Sequence, residues 1–295
     1  MLWFVFALVP TLSDALANIL DGRLSNGYFR KPFVQLFYAE VVGIIFLPLL
    51  FLYRLPQSID LPTAAWFFCI TLLDILCLLF YLRALQHTDT SIVASLFSIG
   101  KIFVPILAFF FIGERLSPFQ YLAFIIIITC ASLLTTNHAG GKFVVNRALF
   151  LMIVSSLAHS VSAIIYKHVL EHLDWVTALT YFMLFSFGIM MILGALQWRA
   201  VREHWQSFLG TRKIFFANSA LAFGSGIGSV LAYSLAPVTL VKAVFSIQPI
   251  FVLGYTLLLR KRFPGAFREQ FDRKNITKKL LLFAVIMLML ILIAE

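Results

Sequence analysis

Five acidic or basic residues lie well inside long apolar stretches of this sequence, away from their C-terminal ends: Asp14, Glu40, Asp74, Lys101 and Lys242. A charged side chain at a bilayer centre costs about 3 kcal/mol on insertion scales, so such groups normally face protein or a water-filled cavity. Lys101 stands ten residues inside its stretch and Asp74 at a similar depth in another. An ammonium that deep does not snorkel easily, so it either holds an anionic solute or neutralises Asp74. Lys242 is about four residues from the start of its stretch, and snorkelling explains it as well as a functional role does. Glu40 and Asp14 read as solute-binding groups, or else as hydrogen-bonded packing or interface carboxylates.

Polar and aromatic neighbours that can complete a cavity are Asn18, Gln35, Tyr38, Tyr81, Ser98, His159, Tyr233 and Gln248. Gln35 and Tyr38 share a helix face at i, i+3 spacing. His159, among Ser155, Ser156, Ser160 and Ser162, reads first as a satisfied packing residue and second as a proton relay. Gly224, Gly226 and Gly228 place small residues on one stretch, which suits close helix packing or room for a solute.

The elements that must position these groups follow from composition. With 61% hydrophobic and 12% charged residues over 295 positions, the chain is far from the roughly 25% charged composition of soluble domains. Continuous apolar runs predict helices at 2–20, 33–53, 64–84, 91–112, 118–135, 148–167, 175–198, 214–235, 238–259 and 279–294, each near the length a bilayer requires. Turn-forming breaks separate them, among them Leu61-Pro62, Ser117-Pro118 and Phe263-Pro264-Gly265. Long uniform runs disfavour a barrel, whose strands alternate. Met1 to Leu20 holds no Lys or Arg, so the basic region of a signal peptide is missing and the first span is expected to be retained. Cys69, Cys77 and Cys130 show neither metal-ligand nor redox spacing; they read as packing residues, and no metal or cofactor is expected.

The runs repeat. Residues 91–106 align without gaps to 239–254 with seven identities in sixteen, and Tyr81-x-x-Ala84 and Tyr233-x-x-Ala236 precede them in the same order. Charge supplies an independent sign: loops 1–2 and 6–7 carry opposite biases, as do 2–3 and 7–8. The predicted architecture is therefore all-α and integral to the membrane, with ten helices as two inverted five-helix repeats, 1–140 and 141–295. Odd-numbered loops hold 18 Lys or Arg against 3 in the even-numbered ones. By the positive-inside rule both termini are extracytoplasmic. The same loops account for the net charge of +10 without nucleic acid as a partner.

Phe111-Ile112-Gly113-Glu114-Arg115-Leu116, closing the fourth span, resembles the "LGERL" end of that helix in EamA-type carriers of the drug/metabolite transporter superfamily. Ala236-Pro237-Val238, Gln248-Pro249-Ile250-Phe251 and Ser13 to Asp21 are similar to the same family. The resemblance implies the duplicated ten-span fold and a substrate-carrying role. Two positions depart from it: Lys101 stands where many relatives have proline, and Arg262 where the second half would often match Glu114. Well-known relatives also keep both termini in the cytoplasm, against the charge count here.

Spans five and ten hold little but aliphatic residues and are expected at the periphery, leaving spans one to four and six to nine for a pathway. No Walker loop, HExxH, dinucleotide fingerprint or Gly-flanked nucleophilic serine is present, so an enzyme is not expected. The sequence points to a secondary transporter of a small metabolite in a bacterial inner membrane, working by alternating access with or without a coupling ion, its solute anionic or zwitterionic. Alternatives are a flippase for a lipid-linked phosphate or sugar, and a non-transport membrane subunit. The expected partners are the solute and the surrounding lipid.

Overall fold

The computed structural model describes residues 2–87, 93, 94, 96, 97, 101–136, 147–260, 281, 282, 284–286, 288 and 289. Described secondary structure is helical throughout, with no strand. Six helical stretches are long and apolar enough to cross a membrane: Leu2–Gly27, Pro32–Tyr53, Leu61–Leu85, Phe150–Val169, Trp175–Leu196 and Trp205–Leu235. Large apolar side chains such as Leu52, Leu61, Phe110 and Phe111 point outward, as a surface solvated by lipid requires.

Local chemistry sets where helices begin and break. The first span is α1 (Leu2–Gly27). The second is α2 (Pro32–Gly43), a 3₁₀ turn (Ile44–Phe46) and α3 (Leu47–Tyr53), with proline in the first turn of each α segment. A mid-span 3₁₀ turn bends the chain where Gly43 and Ile44 border the internal cavity. Asp60 caps α4 (Leu61–Leu85) by accepting the Thr63 N–H at 3.0 Å, and these Thr63 hydrogen bonds hold its carboxyl below the usual carboxylate range. α5 (Phe103–Phe111) ends at Gly113, whose φ of +65° is the left-handed conformation glycine adopts freely. Ser117 and Gln120 exchange hydrogen bonds of 3.0 and 3.2 Å to open α6 (Pro118–Thr136), a capping box.

The second half holds α7 (Arg147–Val169) and α8 (Trp175–Leu196), the latter capped by Asp174 through Val176 and Thr177. A short α9 (Trp198–Glu203) leads into α10 (Trp205–Leu235). The eighth span is thus a turn or more longer than its apolar run predicts, because Arg212 and Lys213 lie within the helix and project from its exposed face. The ninth span is α11 (Val238–Phe245) followed by α12 (Gln248–Arg260). Pro249 lacks the N–H that would bond the Phe245 carbonyl, so the helix breaks at Ser246 and Ile247.

Packing runs between the halves. α1 lies along α10, α4 along α7, α2 against α8, and α5 against α7 and α11. Gly228 marks a close approach of α10 to α1: a Cβ there would stand 2.7 Å from Pro10 Cδ and 2.9 Å from the Phe6 carbonyl oxygen. Contacts among the described connections gather at two ends. At one, Lys31 bridges Glu203 at 3.0 Å and Gln86 bonds the Phe29 and Arg30 carbonyls. At the other, Tyr181 bonds the Gln57 carbonyl, and Glu114 reaches α11. Lys31 holds the Glu203 carboxyl below its ordinary range; that exposed contact persists at neutral pH and is lost as pH falls through the depressed value.

Candidate functional site

Between the halves lies a cavity of ≈ 370 Å³. It adjoins a smaller one of ≈ 180 Å³, and both are bordered by Asp14, Asp74, Phe97, His159 and Gln248. Together their walls come from spans one to four and six to nine; among the described residues none comes from span five or ten. Asp14, Asp21, Glu40 and Asp74 bring four carboxyl groups to the larger cavity, while Lys101 borders the smaller.

The centre is a hydrogen-bonded chain crossing the interface. His159 on α7 faces Asp74 Oδ1 of α4 with Nδ1 at 3.4 Å, and Lys242 Nζ of α11 meets its Nε2 at 2.7 Å. Lys242 is 0% exposed, and its ammonium also lies 5.6 and 5.4 Å from the ring centres of Tyr233 and Phe245. The snorkelling reading of Lys242 is therefore corrected: its side chain turns inward across the bundle, not outward along the helix. His159 is likewise more than a packing residue, because it joins the acid of the first half to the base of the second.

Lys101 borders a cavity as expected, but does not pair with Asp74. At 3% exposure, its Nζ donates to the Phe245 carbonyl oxygen at 2.6 Å and sits 5.5 Å from the Phe97 ring centre. That carbonyl is the one Pro249 leaves without an intrahelical donor, and Lys101 occupies the repeat position of that same proline. The cation of one half thus caps the helix break of the other.

The remaining carboxylates have polar neighbours. Ser225 lies beside Asp14, and Ser186 beside Glu40. Asp21, which the sequence reading left at the edge of the family motif, accepts from Asn218 at 2.9 Å and from Gln35 at 3.4 Å. Gln35 in turn accepts from Ser25 at 2.8 Å. Tyr81 donates to Asn18 at 2.6 Å on the wall of the larger cavity, and Tyr233 borders the smaller. Tyr38 does not border either: its ring stacks on Phe208 and its hydroxyl donates to the Val201 carbonyl, so it fastens α2 to α9. Helical spacing placed Tyr38 beside Gln35, yet their side chains diverge. Ser98 lies outside the described residues.

Two groups missed by the sequence reading matter most for a solute. Tyr166 OH and Asn218 Oδ1 are buried on the cavity walls and have no hydrogen-bond partner in the protein. Buried polar atoms without partners are uncommon, and these two belong to residues that border the cavities. Of the three glycines, Gly228 serves packing, Gly226 borders the cavity, and Gly224 has open space where a side chain would stand. Away from the cavity, His168, Glu171 and His172 form an exposed group with potential metal-ligand atoms within 4.8 Å of one another.

Residues 1–136 match the model of the EamA-like transporter family. The resemblance to EamA-type transporters of the drug/metabolite transporter superfamily thus holds over that part of the chain, and the six long apolar helices agree with an integral membrane protein. No curated protein matches the chain. A solved structure titled "Crystal structure of protein" is similar in fold, with a TM-score of 0.64 at 13% identity, covering 95% of this chain and 96% of that one.

Proposed function

We propose that this protein is a secondary carrier that moves a small zwitterionic or anionic solute by alternating access, with the cavity between its halves as the binding site. The observation that carries this reading is the composition of the cavity walls: Asp14, Asp21, Glu40 and Asp74 can meet an ammonium, Lys101 borders the smaller cavity, and Lys242 lies behind the wall residue His159, one hydrogen bond away from it. A zwitterion uses both signs of charge, and is favoured over a simple anion because the carboxylates outnumber the lysines. No further cofactor is needed.

The halves are 1–140 and 141–295, five spans each and opposite in orientation. Packing supports this: exchanging span one with six, two with seven, three with eight and four with nine turns the pairing of one with eight into that of three with six, and two with eight into three with seven. Each of these pairings occurs. The membrane is the bacterial inner membrane, with both termini extracytoplasmic as the loop charges require.

The test is uptake by the purified protein in liposomes, using labelled L-amino acids as zwitterions and labelled dicarboxylates as anions. Saturable uptake of the first set, reduced about tenfold or more in Asp74→Asn by loss of one charge-assisted contact, is the expected result. Uptake of neither set, with no binding to the folded protein, overturns the reading.

A further inference from the structure

A buried histidine that is bonded on one side by a cation and on the other by an anion has a defined proton inventory. Lysine ammonium has donors only, so the 2.7 Å contact requires His159 Nε2 to accept; the ring proton is then on Nδ1, toward Asp74. A second proton on Nε2 would set two donors against each other at that distance. His159 can gain a proton from water at Nε2 only when Lys242 withdraws.

We propose that His159 is the binding site of a coupling proton, loaded when the anionic group of the solute draws Lys242 off its Nε2. This inference rests on the carrier reading above and names the ion that drives it. In the loading step, the Lys242 N–H···Nε2 hydrogen bond breaks and the ammonium donates to the oxygen of the solute instead. A proton from water in the cavity then forms the Nε2–H bond, and the imidazolium is held by Asp74. Solute and proton therefore bind together and leave together, which makes the carrier a symporter. Asp74 stabilises the loaded state and Lys242 opposes it while unengaged.

The surroundings permit such a site. Besides Asp74 and Cys77 of α4 and Lys242 of α11, the titratable or charged groups around His159 are Lys101 of the fourth span, Asp14 of α1, Tyr166 of its own helix and Tyr233 of α10. From α8 the same pocket receives Leu179 and Phe182, neither of which titrates. Lys101 is already engaged by the Phe245 carbonyl, leaving Lys242 as the cation free to change partner within this group. Withdrawal of Lys242 also releases α11 from α7, and so connects proton loading to movement of one half against the other.

The experiment uses the full chain in liposomes containing a trapped pH-sensitive dye, with labelled L-amino acids outside. Wild type is expected to take up protons with the probe, and an inward gradient should raise accumulation roughly tenfold per pH unit, the ratio set by one-proton coupling. In His159→Gln any remaining accumulation of probe should no longer respond to the gradient; a variant whose accumulation still follows it roughly tenfold per pH unit overturns the proton site. Exchange in wild type that ignores the gradient, or proton movement opposite to the probe, overturns the proton site and leaves the carrier reading standing. If wild type moves no amino acid, the substrate class fails, and nitrogen NMR of histidine-labelled protein decides the proton site independently. In Lys242→Met, which frees Nε2, a resonance that is absent from the Lys242→Met, His159→Gln double variant and changes protonation between about pH 5 and 8 sustains the site, and one unchanged across that range overturns it.

Discussion

Pro249 gives the Phe245 carbonyl no N–H, and Lys101 reaches across from the other half to supply one. Removing the amine leaves a buried carbonyl unpaired, which costs about 1–3 kcal/mol. Lys101→Met should therefore lower thermal stability by that amount, and Pro249→Ala in the same chain should recover much of it by restoring the helical N–H. No recovery in the double variant would contradict the assigned partner. Asp74→Ala, by contrast, should add to Lys101→Met within about 0.5 kcal/mol, since the two residues are not paired. The sequence revealed that Lys101 was too deep to face water, yet depth along a helix does not specify rotation or reach. That is also why Lys242 looked like an interface residue. Its depth is shallow, but α11 is short and its side chain crosses to α7, a direction that only tertiary packing sets.

Among elements, α11 is held at its start by a residue from another span. Glu114 accepts the Val238 N–H at 2.8 Å and the Thr239 N–H at 3.0 Å, while Lys167 donates to the Tyr233 and Ala236 carbonyls at the end of α10. The motif glutamate is thus a helix cap supplied from another span, positioned by the left-handed Gly113 before it. Glu114→Ala should destabilise the protein by about 1 kcal/mol, read as a lower midpoint of thermal unfolding; an unchanged midpoint would show that water caps α11 equally well. A larger effect is expected at Gly228, where a side chain would strike the α1 backbone. Gly228→Leu should cost roughly 1–3 kcal/mol or prevent assembly, whereas Gly224→Ala, with open space around it, should be tolerated. The run of small residues was legible in the sequence. Which of them packs and which lines the cavity depends on the neighbour each one meets.

For the whole molecule, apolar run length made the main spans legible because a bilayer imposes nearly one length on every crossing. The 3₁₀ turn in span two and the break in span nine were not, since each depends on a single proline or glycine within an otherwise uniform run. The proposed orientation rests on charge placement: with 18 basic residues on one set of loops and 3 on the other, a tag after Glu295 should be accessible from outside intact cells. Access only from the cytoplasm would contradict the orientation. The claim that a central site is exposed to each side in turn is tested by counterflow. Liposomes bearing the protein are loaded with an unlabelled zwitterionic solute and placed in a trace of the same solute labelled. Alternating access predicts transient accumulation of label above its external concentration, because the loaded solute returns the site outward. Label that only equilibrates, at a rate independent of what was loaded inside, would contradict a carrier mechanism.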